Sequence, residues 1–172
     1  MKKNVKTEEC GNCGAEAAVV RGAYAMKESG LKNVVLHGID LVRCEQCGNV
    51  DPIIPRLNDL MRTLALAVIT KPYRLLGNEV RFLRKFLGMT QDELSRWIHV
   101  DKTTLSKWEN DEDPVGEQSD LLIRALAVIR GDGLHAKVDE VVGQFAAIRK
   151  ARRSVGIEVH REAEAEFGFR YV

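Results

Sequence analysis

The four cysteines of the chain stand as Cys10-Gly-Asn-Cys13 and Cys44-Glu-Gln-Cys47, with residues 14–43 between the pairs and a glycine, Gly14 or Gly48, after each. A two-residue spacer lets both thiolates of a pair turn onto one point, and two such pairs supply the tetrahedral four-sulfur set of structural zinc. The following glycines free the backbone to turn its amides toward sulfur. Four sulfurs leave no position for water, so the expectation is one structural zinc ion per chain held by Cys10, Cys13, Cys44 and Cys47, without catalysis at the metal. Three other chemistries compete. A disulfide framework needs an oxidising compartment, and Met1-Lys-Lys-Asn-Val-Lys6 opens no signal peptide. A thioredoxin-like redox pair wants a βαβ context that neither motif has, and iron–sulfur ligation fits the even spacing less well than zinc. Metal binding of about 10 to 16 kcal/mol would fold a segment too small for its own core.

A second constellation occupies residues 88–110. Thr90 followed three residues later by Glu93 is a capping box that starts a helix at Gln91, and Gly88 ends the helix before it. Leu94, Ile98, Leu105 and Trp108 are spaced to bury one face of each of two crossing helices, and Asp101 is suited to cap the second. Lys102, Thr103, Ser106 and Lys107 then remain on the outer face of a helix short enough to enter a major groove about 12 Å wide. The chemistry expected of them is sequence-specific contact with double-stranded DNA.

Residues 79–114, with the Leu83-Arg84 pair, the Thr90-Gln91 start and the Leu105-Ser-Lys-Trp-Glu-Asn110 ending, resemble the Xre and lambda-repressor type of helix-turn-helix. The resemblance implies that Lys102, Thr103 and Lys107 face base edges, that Gln91 contacts the DNA backbone, and that Arg84 and Glu109 form a structural ion pair. His99 stands where that family usually has a turn glycine with φ > 0, a conformation histidine tolerates better than β-branched residues do. Together with the cysteine pairs and the run Val35-Leu-His-Gly-Ile-Asp-Leu-Val-Arg-Cys-Glu-Gln-Cys-Gly48, residues 10–130 resemble the MqsA antitoxin family with its YgiT-type zinc finger. That resemblance implies a bacterial, cytoplasmic homodimer that represses its own promoter through an inverted-repeat operator and neutralises a cognate toxin encoded beside it. Thr103 and Lys107 depart from the asparagine and arginine common there, and lysine lacks the rigid fork that grips guanine. The chain also continues well past the family's usual end.

The elements that must position these groups follow from punctuation and periodicity. Ala17–Met26 and Lys32–Arg43 read as strands with Glu28-Ser29-Gly30 as their turn, and His37 is given no ligand role. Asp51-Pro52-Ile53-Ile54-Pro55 closes the ribbon. A helix is expected over 56–70 with Leu57, Leu60, Met61, Leu64 and Val68 on one side, serving either the chain's own core or a dimer seam. Lys71-Pro72 ends it. The fourth helix of the bundle should span 117–130 with Leu121, Leu122, Ala125, Leu126 and Ile129 as its apolar side, stopped by Gly131-Asp132-Gly133. A further helix is expected over 134–152, carrying Val138, Val141, Val142, Phe145 and Ile148 and ending in the basic cluster Arg149–Arg153, a solvated surface or an added phosphate contact. In the tail, Val155, Ile157 and Val159 alternate, as do Phe167, Phe169 and Tyr171 beyond a charged spacer. Two such strands cannot stand alone, and the expectation is that they add to a sheet of a second protomer or of a partner, the alternative being a disordered or intramolecular end.

The fold class expected is α+β: a β-rich zinc ribbon at 1–52, a linker helix at 53–72, an all-α helix-turn-helix bundle at 73–132, and a C-terminal helix and tail at 133–172. With 172 residues, 45% of them hydrophobic, the chain can hold one moderate core plus a small metal-stabilised unit. A net charge of +1 is low for a DNA binder, but it is segregated. Lys71, Arg74, Arg81, Arg84, Lys85, Arg96, Lys102 and Lys107 precede an acidic stretch at Glu109, Asp111, Glu112 and Asp113. The longest apolar run, Leu64–Ile69, cannot cross a bilayer. No carboxylate pair, nucleophile with its base or phosphate loop can be assembled, so an enzyme is not expected. Two readings stand beside the repressor: an interaction protein whose ribbon or tail captures a partner, and a stand-alone regulator of a mobile-element or defence operon.

Overall fold

A computed structural model of the chain describes residues 6–161 and 166–172; residues 1–5 and most of the charged spacer, 162–165, lie outside the described residues. The fold is α+β, with a strand-rich N-terminal region, a helical centre and C-terminal strands. Strands β1 (Thr7–Glu9), β2 (Glu16–Ala25), β3 (Val34–Arg43) and β4 (Val50–Ile53) precede helices α1 (Leu57–Thr70), α2 (Gly77–Phe86), α3 (Gln91–Trp97), α4 (Lys102–Glu109) and α5 (Glu117–Arg130). A short strand β5 (Tyr73–Arg74) lies between α1 and α2, and α6 (Val138–Gln144), β6 (Arg149–Arg152), β7 (Ile157–Arg161) and β8 (Phe167–Tyr171) follow α5.

The six-stranded sheet is ordered β1-β2-β3-β7-β8, with β4 also on β3. One edge of β3 is shared between two partners. Val34–His37 pairs parallel with β7, whereas Asp40–Arg43 pairs antiparallel with β4. Gly38 sits between the two pairings at φ 69°, a left-handed conformation that costs glycine no steric penalty. The tail therefore does add to a sheet, but the host is the chain's own ribbon rather than a second protomer or a partner. The reason is the inner face: Leu36, Ile39 and Leu41 of β3, Ile157 and Val159 of β7, and Phe167, Phe169 and Tyr171 of β8 share one core with α1. The Tyr171 hydroxyl donates to the Ala67 carbonyl at 2.7 Å and lies 2.8 Å from the Thr70 hydroxyl.

Along α1, Leu60, Leu64 and Val68 are buried in this core, which settles their stripe as intramolecular packing, while Leu57 remains exposed. Helix α5 forms where expected but is rotated. Asp120, Ile123, Arg124, Leu126, Ala127 and Val128 are buried, whereas Leu121, Leu122 and Ile129 face outward. The cause is Arg124, fully buried, whose guanidinium donates to the carbonyls of Val68, Ile69, Lys71 and Tyr73 at 2.5–3.3 Å and to Asp120 Oδ2 at 2.7 Å. It caps the carbonyls that Lys71-Pro72 strands at the end of α1, because proline breaks the helical ladder there. Asp120 Oδ1 in turn accepts from the Leu75 amide at 2.6 Å, and Lys71 pairs with Glu79 in the same interior.

The single helix expected over 134–152 is instead a 3₁₀ turn (His135–Lys137), α6, a second 3₁₀ turn (Phe145–Ala147) and strand β6. The free carbonyl of Pro72 takes the Arg149 amide at 2.9 Å, and β6 lies parallel on β5 with Tyr73 opposite Arg149 and Arg74 opposite Arg152. Backbone pairing thus overrides helical periodicity for the basic cluster.

Candidate nucleic-acid interface and metal centre

The candidate interface is assembled by α2, α3 and α4. The Thr90 amide donates to Glu93 Oε2 at 2.7 Å and the Glu93 amide to Thr90 Oγ1 at 3.2 Å, closing the reciprocal cap that starts α3. Gly88 is left-handed at φ 67° and ends the chain segment after α2. His99 adopts φ 53° in the turn between α3 and α4, and the Val100 amide closes that turn on the Ser95 carbonyl at 3.0 Å. Asp101 occupies the cap position of α4 without a side-chain hydrogen bond to it. Leu94, Ile98, Leu105 and Trp108 are buried in the seam.

Outside that seam, Lys102, Thr103 and Lys107 are exposed on α4 and Ser106 is half-buried. Lys102 lies 3.1 Å from Asp92 and Lys107 3.6 Å from Asp113, all four side chains being about half exposed. Exposed pairs of this kind contribute about 0 to 1 kcal/mol, so both ammonium groups can exchange a carboxylate for a phosphate or a base edge at little cost. Gln91 is half-buried, and its amide donates to Glu109 Oε2 at 3.0 Å.

Glu109 organises the whole arrangement from the end of α4. Its side chain has no exposure and accepts from Arg84 Nε at 2.6 Å and Arg84 Nη2 at 2.9 Å, with Arg81 Nε at 3.5 Å. Burial opposes its ionisation, but the hydrogen bonds from Arg84 and Gln91 and the charges of Arg84 and Arg81 outweigh it and hold the carboxyl below the usual range. Arg84 also donates to the Met89 carbonyl at 2.9 Å, so one ion pair ties α2, the turn before α3, and α4 together.

The four cysteine sulfurs lie within 4.8 Å of one another, with Cys10 to Cys47 and Cys13 to Cys44 both at 3.6 Å. Two near-identical knuckles deliver them. The Gly14 amide donates to the Cys10 carbonyl and Gly48 to Cys44, while the Cys10 and Cys44 amides donate to Ala15 and Asn49. Both Gly14 and Gly48 take φ 73°. A tetrahedron with sulfur about 2.3 Å from its centre has edges of about 3.8 Å, so the donor set fits a zinc-type ion. Crowding sets the thiols against one another. The Asn49 amide and the Asn12 side chain draw Cys47 down to about 6. At Cys13 the Ala15 amide pulls the same way, but hydrogen bonding to the other thiols pushes it up to about 12. A small satellite core of Ala17 and Val42 with Ala15, Val19 and Ile53 backs the centre.

His37, given no ligand role, stacks on His160 across the β3–β7 pairing with ring centroids 5.0 Å apart, and each lies 3.7 Å from Glu158. Glu158 is already bound by Arg170. What the sequence did not disclose is the Arg124 cap and the part played by Arg81, read there only as one cation of the basic face, whose guanidinium donates to Asn110 Oδ1 at 2.7 Å at the end of α4. Neither has a local pattern, since each acts on a carbonyl or amide from another element.

A family model for helix-turn-helix domains matches residues 80–128, from the first turn of α2 to the last turn of α5. No curated protein and no solved structure matches the chain. The chain therefore carries a helix-turn-helix DNA-binding domain of the Xre type behind a four-cysteine cluster, which supports a DNA-binding transcriptional regulator. Among the described residues no helix is long and apolar enough to cross a membrane.

Proposed function

We propose that this helix-turn-helix regulator is a zinc-containing, homodimeric transcriptional repressor of the antitoxin kind, which reads an inverted-repeat operator with α4 of each protomer. The observation that carries the reading is α4 itself: Leu105 and Trp108 are buried behind it, while Lys102, Thr103 and Lys107 stand exposed in front. Lys107 and Thr103 are assigned to base edges, Lys102 and Ser106 to the adjacent backbone or base edges, and Gln91 to a phosphate, released from or shared with Glu109. Support for a dimer comes from α5, where Leu122 and Ile129 are exposed two turns apart. A symmetric pair would set two α4 helices on half-sites about 34 Å apart. Cys10, Cys13, Cys44 and Cys47 would hold one zinc ion, which supplies local folding and no reaction. The antitoxin assignment, and with it a toxin partner, rests on the cysteine-pair and helix-turn-helix resemblance. The reading assigns the chain no enzymatic step.

The test is selection of bound sequences from a random duplex pool by the zinc-loaded protein, followed by gel shifts with Lys107→Ala. An enriched inverted repeat is expected, and Lys107→Ala should lose about 1 to 3 kcal/mol on that repeat but little on scrambled DNA. Wild-type binding by Lys107→Ala would remove α4 as the reader. No enrichment at low salt would overturn the repressor in favour of a protein-capturing role for the ribbon.

A further inference from the structure

Strand β6 and the residue after it place four cations within five residues, Arg149, Lys150, Arg152 and Arg153, and the structure uses them in two different ways. Arg152 is spent on docking: its Nη2 lies 2.6 Å from Asp111 Oδ1, the same oxygen that accepts the Gly77 amide at 2.8 Å. Arg149 and Arg153 instead converge on one ring. Their guanidinium carbons lie 5.5 and 5.7 Å from the centroid of Tyr73, and both reach its hydroxyl, at 3.3 and 3.5 Å. Two like charges are thus held side by side by an aromatic face, and among the described residues no carboxylate pairs with either. Lys150 is almost fully exposed and lies 3.5 Å from the half-exposed Glu117.

The place of this strand matters as much as its charge. Asp111 lies two residues past the end of α4, and Glu117 opens α5, so β6 lies along the loop that flanks the reading helix. That loop is acidic at Asp111, Glu112 and Asp113 and would by itself repel the sugar-phosphate backbone running past the edge of the major groove. Arg152 neutralises Asp111, and Lys107 lies 3.6 Å from Asp113 in the free protein. The convergent guanidinium pair nearby offers an anion two cations that no carboxylate among the described residues occupies.

We propose that Arg149, Lys150 and Arg153 form a backbone clamp that binds DNA phosphates just outside the half-site read by α4, with Tyr73 holding the two guanidinium groups in position. The clamp rests on the DNA-binding reading above and deepens it. It makes the segment after α6 a second DNA-contacting element, one that adds affinity without base preference.

The experiment measures binding of the full-length, zinc-loaded protein to its selected duplex across a salt series, for wild type, Arg149→Ala/Arg153→Ala and Arg149→Lys/Arg153→Lys. Each phosphate contact contributes about 0.9 to the slope of log affinity against log salt. The alanine pair should therefore flatten the slope by about 2. It should also shorten the hydroxyl-radical footprint outside the half-site and leave the selected base sequence unchanged. The lysine pair, which keeps both charges, should retain most of the slope. An unchanged slope in the alanine pair, with wild type still binding, overturns the clamp alone. An altered base preference also overturns it, by making these side chains base readers. Failure of the wild type to bind any duplex at low salt overturns the DNA-binding reading and the clamp together.

Discussion

Glu109→Ala should be a costly change in the interior of this helix-turn-helix, although Glu109 itself is assigned no contact with DNA. The substitution removes the acceptor of three hydrogen bonds, from Arg84 Nε, Arg84 Nη2 and Gln91 Nε2, at 2.6, 2.9 and 3.0 Å. It leaves the Arg84 guanidinium, whose side chain is only 12% exposed, with the Met89 carbonyl as its remaining partner. Deleting one member of a buried pair costs about 3 to 5 kcal/mol, because the other charge stays behind uncompensated. Glu109→Gln keeps the shape but not the charge and should lose about 1.5 to 3 kcal/mol. Urea unfolding at pH 7 measures both. The folded-state pKa of Glu109 lies below its ordinary value, so its stabilisation is fully present above the unfolded pKa, about 4.3, and is lost as pH falls through the folded one. The gap between wild type and Glu109→Gln should accordingly close in acid. A loss under about 1 kcal/mol for Glu109→Ala at pH 7, the range of an exposed pair, would refute the reasoning. So would a gap that persists unchanged to pH 3.

Three other perturbations have definite outcomes. Chelation of the metal should abolish amide-exchange protection around Ala17, Val42 and Cys44, which sit in the satellite core, but spare Leu64 and Leu83 in the main one; equal protection with and without chelator would count against a structural ion. Gly77→Ala would bring a Cβ to 2.2 Å from the Trp108 carbonyl oxygen and 2.9 Å from the Glu109 backbone, prising α2 from α4. It should lower stability by at least about 1 to 3 kcal/mol, read as a fall in Tm, and an unchanged Tm would contradict this packing. Deleting residues 154–172 removes β7 and β8 from the core they share with α1. The truncated chain should lose its cooperative melt, whereas a wild-type melt would show that the tail is not part of the fold.

What the sequence disclosed was what is decided locally. The paired Cys-x-x-Cys-Gly knuckles, the Thr90–Glu93 cap, the left-handed Gly88 and the seam of Leu94, Ile98, Leu105 and Trp108 each depend on residues a few positions apart. What it hid was decided across the chain. Hydrophobic periodicity put Leu122 and Ile129 inside α5, yet the buried face carries Asp120 and Arg124, two charges justified only by stranded carbonyls and an amide in residues 68–75. The same holds for β6, whose strand conformation is dictated by the Pro72 carbonyl, and for the tail. Its alternating apolar side chains announced a sheet without revealing that Val34–His37 of its own chain supplies the edge.

The parallel pairing of β3 with β7 also fixes an order of events during synthesis. Val34 pairs with Ile157, so the ribbon's edge is complete only after the helical centre has been made. Contacts this distant in sequence close late, after the entropy of a long loop has been lost, whereas helices of local contacts form quickly. Until residue 157 emerges, the Val34–His37 edge therefore exposes open backbone donors and acceptors. Such an edge is a template for pairing with any neighbouring nascent chain. Ribosome stalling before residue 157 would release a product whose open edge is prone to pair with its neighbours, so β7 and β8 serve the protein's solubility as well as its core.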